Sequence, residues 1–141
     1  MNFFADAPVE IGNSNTKYIC SSAHRGHIGH QKSIWAITLA EEVACFSKSV
    51  SEVWNYETYF WGLHIIGASP AVLGINRFRE DVKIAIFVDA SRNLIYHGYP
   101  ADYRRKIKDR PHVNILKKWR DQGLIQKHMM NKIMTGKQCS L

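Results

Sequence analysis

The chain has 141 residues, of which 45% are hydrophobic and 22% charged. This length and composition exclude a disordered chain and predict one domain, residues 1–141, that buries a core without a disulfide framework. The formal net charge of +7 is unevenly distributed, because residues 104–141 contain eleven Lys and Arg against two Asp, whereas residues 1–103 carry −2. Such asymmetry indicates a cationic surface that meets an anionic partner.

The cysteines and the N-terminus bear on the compartment. The three cysteines are Cys20, Cys45 and Cys139. Their long spacings, without a C-x-x-C motif, are typical of a reducing compartment. The first twelve residues lack a basic start and show no signal peptide, so we expect a cytoplasmic protein. Residues 58–76 are uncharged, but their proline and glycines favour two buried elements and a turn over a membrane span.

The first half of the chain predicts few regular elements. Residues 1–15 are expected to form an irregular arm, and residues 17–20 a short strand. Apolar positions recur at helical spacing over residues 33–48, which predicts a buried helix with Ser33 as N-cap. Residues 51–63 fit either a helix or a strand; we favour a helix, although their aromatic residues also suit a strand.

The middle of the chain predicts a three-stranded antiparallel meander. Its strands cover residues 71–78, 82–88 and 94–99, which are rich in β-branched and aromatic residues and separated by short polar gaps. The run 83–88 is almost continuously apolar, as expected for a central strand.

The C-terminal part predicts a basic helical hairpin, residues 111–135. Apolar residues occupy one arc of a helix over 111–122, Gly123 is suited to end it, and a second amphipathic helix follows over 124–135. The predicted fold class is therefore α+β, with an antiparallel three- to four-stranded sheet packed against one or two apolar helices and followed by this hairpin.

The cationic segment predicts nucleic-acid binding, with RNA slightly favoured over DNA. The candidate phosphate-binding residues are Arg104, Arg105, Lys106, Lys108, Lys117, Lys118 and Arg120. Lys and Arg that neutralise phosphates release counterions, and interleaved Tyr99 and Tyr103 suit base stacking. A solvated basic face without a ligand explains the same pattern.

Four residues form a candidate metal site at Cys20, His24, His27 and His30. Thiolate and imidazole are ligands that zinc prefers, and four of them can complete a tetrahedral site. The spacing matches no familiar structural zinc pattern, and two glycines interrupt it, so a loop with solvated histidines is the alternative. No cofactor is predicted.

A second chemical hypothesis is metal-independent RNA cleavage by His97 and Tyr99. These residues have the same parity on a predicted strand and would share one face. Imidazole transfers protons near neutral pH, and His112 or His128 would complete an acid–base pair in space. Ordinary surface residues at a strand end are the alternative.

The alternative to nucleic-acid binding is a non-enzymatic module that binds an acidic protein or itself, with no membrane partner. Aromatic residues are typical anchors of such interfaces. The candidate anchors are Trp54, Tyr56, Tyr59 and Trp61.

Overall fold

The protein folds as a mixed sheet covered by helices, and the computed structural model describes residues 3–26 and 32–141. The strands are β1 (Pro8–Glu10), β2 (Lys17–Ile19), β3 (Ile34–Trp35), β4 (Asn55–Tyr56), β5 (Tyr59–Ile66), β6 (Ser69–Ala71), β7 (Gly74–Ile75), β8 (Asp81–Val82), β9 (Ile84–Val88) and β10 (Ile95–Pro100). The helices are α1 (Leu39–Ser51), α2 (Val113–Asp121) and α3 (Lys127–Met134). No helix in this described part of the chain has the length and apolar character needed to cross a membrane.

The main sheet has seven strands in the order β1–β2–β10–β9–β5–β4, with β6 beside β5. β2 and β10 are parallel, and the other neighbours are antiparallel. The predicted α+β class is therefore confirmed, but the predicted antiparallel sheet of three or four strands is too small and misses the parallel pair. Part of the difference is β1, which pairs with β2 inside the segment predicted to be irregular.

The predicted meander is correct for its last two strands only. β9 pairs with β10 and lies centrally, as its apolar sequence indicates. Its other neighbour is β5, not residues 71–78. β7 instead joins β3 and β8 in a separate three-stranded sheet.

The first predicted helix begins six residues too early. α1 starts at Leu39, where Thr38 and Glu41 form a capping box: the Thr38 hydroxyl accepts from the Glu41 N–H, and the Glu41 carboxylate accepts from the Thr38 N–H. The predicted N-cap Ser33 therefore lies outside the helix. Trp35 is extended and buried, and its Nε1–H donates to the Gly98 carbonyl at 3.2 Å.

The helix predicted over residues 51–63 is wrong, and the alternative of a strand is correct for residues 55–56 and 59–63. The segment ends α1 and then forms the β4–β5 hairpin, in which Asn55 lies opposite Phe60. The segment forms a strand because its aromatic side chains pack on both faces of a sheet. Phe60 contacts the core beneath α1, and Trp61 contacts the core beneath α2.

Helices cover both faces of the main sheet, which explains why β9 is apolar throughout. Ala85 and Phe87 point into the cluster beneath α1, whereas Ile84 and Ile86 point into the cluster beneath α2 and α3. α2 and α3 lie inside the predicted hairpin range, and Gly123 follows α2 with the left-handed φ of +75° that a helix end requires.

Candidate nucleic-acid interface

A five-residue turn between β7 and β8, residues 76–80, presents cations and an aromatic ring to solvent. The buried Asn76 side chain organises it: Oδ1 accepts from the Phe78 N–H at 2.9 Å and from the Glu80 N–H at 3.0 Å, while Nδ2 donates to the Glu80 carboxylate at 2.8 Å. Arg79 takes a left-handed φ of +63°, which closes the turn. Arg77, Phe78 and Arg79 consequently point outwards.

The Phe78 ring is the centre of this surface. It is 50% exposed, which is unusual for a phenylalanine. Two guanidinium carbons lie over it, that of Arg77 at 4.6 Å and that of Arg105 at 4.2 Å from the ring centroid. The contact joins the turn to the loop after β10, although 27 residues separate Phe78 from Arg105 in sequence.

The resulting basic–aromatic surface is defined by Arg77, Phe78, Arg79, Arg104, Arg105 and Lys106. Glu80 is its counter-charge, at 3.3 Å from Arg104 and 2.8 Å from Arg105. The hydrogen bond from Arg105 is the main reason why the pKa of Glu80 lies below its usual value. Asp102 is a second counter-charge, with its Oδ1 3.3 Å from Arg105. Five cations against these two carboxylates leave the surface positive.

The loop that carries Arg104, Arg105 and Lys106 is fixed by the buried carboxyl group of Asp109. Its Oδ1 accepts from the Tyr99 hydroxyl at 3.0 Å, and its Oδ2 from the Asp102 N–H at 2.9 Å. The Asp109 carbonyl also accepts from Trp61 Nε1 at 2.9 Å. These bonds tie the loop to β10 and β5, so its cations project from a rigid support.

A small cleft of about 20 Å³, enough for one water, lies against this loop, and its lining includes Arg77, Tyr99, Lys106 and Asp109. A larger cavity of about 290 Å³ adjoins the basic–aromatic surface, with which it shares Arg104. This volume is at the lower end for small-ligand pockets.

The predicted phosphate-binding residues divide into two groups. Arg104, Arg105 and Lys106 belong to the basic–aromatic surface, and Lys108 follows them in the same exposed loop. On α2, Lys117 is exposed. The two remaining cations of α2 already have partners within the protein. Lys118 Nζ donates to the Val53 carbonyl at 2.7 Å, and the Arg120 guanidinium pairs with the Asp121 carboxylate at 3.1 Å.

Arg77, Phe78 and Arg79 were not predicted as site residues. The sequence pattern assigned the first two to a strand and Arg79 to a hairpin gap. The Arg-Phe-Arg triplet between two strands was the sequence signal that could have identified them. The contact between Phe78 and Arg105, however, is a tertiary contact that the sequence does not show.

The predicted cleavage residues share a face, as their parity requires. His97 and Tyr99 are half-buried, whereas Tyr96 points to the opposite side and donates to the Thr58 carbonyl. The Tyr99 ring stacks on His24, with centroids 5.2 Å apart and planes at 19°. Burial and the nearby Asp109 raise the pKa of Tyr99.

The other two histidines proposed for an acid–base pair occupy the helices. The His112 ring stacks on Tyr56 at 3.8 Å, and its Nδ1 accepts from the Asn114 N–H to cap α2. His128 is exposed on α3. Among the histidines in the described ranges, His24 stacks on Tyr99.

Two of the four predicted metal ligands lie in the described ranges, and they face opposite sides of the sheet. Cys20 belongs to the core beneath α1, where burial raises the pKa of its thiol to about 12. His24 stacks on Tyr99, which packs with the cluster beneath α2. His27 and His30 lie outside the described residues. Within residues 3–26 and 32–141, no group of three or more potential ligands could hold a metal ion.

Two of the four predicted interface anchors are internal. Trp54 is fully buried and Trp61 is 4% exposed, and both belong to the core beneath α2 and α3. Both side chains carry a large apolar ring, which accounts for their burial, and neither lies at the surface as an interface anchor would. Tyr56 and Tyr59 are exposed on the β4–β5 hairpin.

Comparison with known proteins gives no relative from which a function follows: no family model, curated protein or solved structure matches this chain.

Proposed function

We propose that the protein binds single-stranded nucleic acid, RNA in preference to DNA, through the basic–aromatic surface. The observation that carries this proposal is the half-exposed Phe78 ring with two guanidinium groups lying over it. An exposed aromatic ring surrounded by cations is the combination that single-strand binders use, with bases stacked on the ring and phosphates on the cations.

The chemistry of each component suits this ligand. A base can stack on the guanidinium plane of Arg77 or Arg105, or on the Phe78 ring itself. Such stacking contributes about 1–3 kcal/mol per base. Arg79 follows Phe78 in the turn and Lys106 follows Arg105 in the loop, so both are available to phosphates that flank a stacked base. RNA is favoured because proteins that recognise RNA commonly stack its unpaired bases on aromatic and arginine side chains.

The stacking part of the proposal is tested by Phe78→Ala, with Phe4→Ala as the matched control because Phe4 is also exposed. Binding to a fluorescent single-stranded RNA is measured by anisotropy near physiological salt. We expect Phe78→Ala to weaken binding about fivefold or more, in line with one lost stacking contact, and Phe4→Ala to leave it unchanged. Equal affinities of both variants and the wild type would refute a stacking role.

The position of the phosphate-binding surface is tested by Lys106→Glu against Lys117→Glu. Both lysines are exposed, and both substitutions change the net charge by −2. The proposal predicts that Lys106→Glu weakens binding more than Lys117→Glu. The reverse order would locate the surface on α2, as the sequence pattern alone suggested.

A second candidate function is protein association, possible in this chain because Val53, Tyr56 and Tyr59 are exposed beside the edge strand β4. Exposed aromatic and aliphatic side chains at a sheet edge are typical of contact surfaces. Sedimentation of the wild type and of Tyr59→Ser tests it: a dimer that this substitution dissociates supports association, and a monomer at all concentrations excludes self-association.

A further inference from the structure

We propose that the protein also cleaves RNA, with His24 as general base and His97 as general acid on the face of β10 around Tyr99. This inference rests on the proposed RNA binding, because it requires the RNA strand to lie along the basic–aromatic surface. The proposed acid–base pair is therefore His24 and His97, in place of the pair His97 and Tyr99 that the sequence predicts.

The Tyr99 ring brings the two imidazoles together. His97 and Tyr99 are two positions apart on the same face of β10, which places their side chains about 7 Å apart. His24 stacks on the Tyr99 ring at 5.2 Å. Both imidazoles therefore neighbour the Tyr99 side chain, and His97 is among the groups that lower the pKa of His24.

His24 has the protonation state of a base. Its Nδ1 lies 2.9 Å from the Ser33 carbonyl, which can only accept, so Nδ1 carries the hydrogen and Nε2 carries the lone pair of the neutral ring. Burial is the main cause that lowers the pKa of His24, and the neighbouring Lys32, Lys106 and His97 lower it further. The Ser33 carbonyl acts in the opposite direction.

His97 is coupled electrostatically to a carboxylate, that of Asp6. The Asp6 carboxylate accepts from the Ser22 N–H at 3.0 Å, and this bond is the main cause that lowers its pKa; His97 contributes to the same shift. Because His24 is the base of the pair, we assign to His97 the role of the general acid that protonates the leaving group.

Lys106 connects the imidazoles to the RNA-binding surface. It belongs to the basic–aromatic surface, lines the cleft beside Tyr99, and its charge acts on His24. A phosphate held by Lys106 would therefore lie near Tyr99 and His24. Lys106 and Lys32 supply the positive charge that stabilises a pentavalent phosphorus transition state.

Tyr99 is a positioning residue in this arrangement. Its hydroxyl donates to Asp109, and burial raises its pKa, so it is a poor proton donor or acceptor at neutral pH. Its ring holds the imidazole of His24 in place.

The reaction is an internal transesterification. His24 Nε2 accepts the proton of the ribose 2′-hydroxyl, and the 2′-oxygen forms a bond to the adjacent phosphorus. The bond from phosphorus to the 5′-oxygen of the next nucleotide breaks, and protonated His97 gives its proton to that oxygen. The products are a 2′,3′-cyclic phosphate and a 5′-hydroxyl, and neither a metal nor another reactant is required.

The test compares the wild type with His24→Ala, His97→Ala and the control His128→Ala, which removes an exposed histidine of α3. The substrate is an end-labelled single-stranded RNA, incubated with EDTA and analysed by mass spectrometry for the cyclic phosphate. An oligonucleotide with one ribonucleotide among deoxynucleotides locates the reaction. We expect His24→Ala and His97→Ala each to lower the rate at least 100-fold and His128→Ala to leave it unchanged.

Several outcomes overturn the inference, and they are distinguishable from failure of the proposed binding. Wild-type protein that binds RNA without cleaving it refutes cleavage alone, whereas absence of binding refutes the proposed function. Cleavage that persists in His24→Ala and His97→Ala identifies a contaminating nuclease. Circular dichroism and RNA binding establish that both variants fold, and His24→Asn and His97→Asn are used if the alanine variants do not. A bell-shaped pH profile that loses its acidic limb in His24→Asn supports the assigned base.

Discussion

Neutralising Glu80 is predicted to strengthen RNA binding. Glu80 pairs with both Arg104 and Arg105, so it competes with phosphate for two cations of the basic–aromatic surface. In Glu80→Gln the amide oxygen can still accept from Asn76, which preserves the turn while the charge is removed. For single strands each phosphate contact contributes about 0.7 to the dependence of log K on log salt. One extra contact therefore strengthens binding about fivefold at 0.1 M salt and has no effect near 1 M.

The assay is fluorescence anisotropy with labelled single-stranded RNA over a range of salt concentrations. Glu57→Gln is the matched control, because it removes the same charge from an exposed residue of the β4–β5 turn. We expect Glu80→Gln alone to bind more tightly, with a steeper salt dependence. If both variants gain affinity equally, net charge explains the effect. If Glu80→Gln binds more weakly than the wild type, the carboxylate is part of the site, and the reasoning is refuted.

Three further predictions concern stability, and urea unfolding measures each. Val53 has a left-handed φ of +57° in an exposed position, so Val53→Gly is expected to stabilise the protein by about 1 kcal/mol; a loss would show that the strain is absent. Gly98→Ala places a Cβ 2.3 Å from Phe87 and 2.6 Å from the Tyr18 hydroxyl, which is expected to cost about 3 kcal/mol, and a neutral result would contradict the packing. Burial raises the pKa of Glu42 above 4.5, so the stability that its protonated form contributes is full below pH 4.5 and is lost as the pH rises through the raised pKa. The free energy of unfolding of Glu42→Gln, relative to that of the wild type, should therefore increase over this pH range. A difference that stays constant with pH would contradict the shift.

The elements that the sequence predicts well are those whose signals are local. The apolar run of β9 and the amphipathic arcs of α2 and α3, separated by Gly123, are determined within a few residues. Their types and approximate positions were therefore predictable.

The segment before α1 was mispredicted because its partners are distant in sequence. Ile34 and Trp35 are compatible with a helix by spacing, but both pair with β7, and the Trp35 indole N–H donates to the Gly98 carbonyl. The local signal that marks the true helix start was the Thr38–Glu41 capping box.

The candidate site was predictable only in part. The cations of residues 104–108 are evident from composition, but the turn that brings Phe78 beneath Arg105 depends on hydrogen bonds of Asn76 and on the second sheet. The stacking of His24 on Tyr99 likewise joins residues 75 positions apart. No periodicity or motif encodes such contacts.

The most direct test of the basic–aromatic surface is ultraviolet cross-linking of the wild-type protein to a single-stranded oligouridine. Digestion after glutamate gives a peptide of residues 58–80, and tandem mass spectrometry then locates the cross-linked residue. The account predicts cross-linking at Phe78 that is competed by unlabelled RNA and lost in Phe78→Ala. Cross-links confined to α2 and α3, or none to this peptide while RNA is bound, would contradict it.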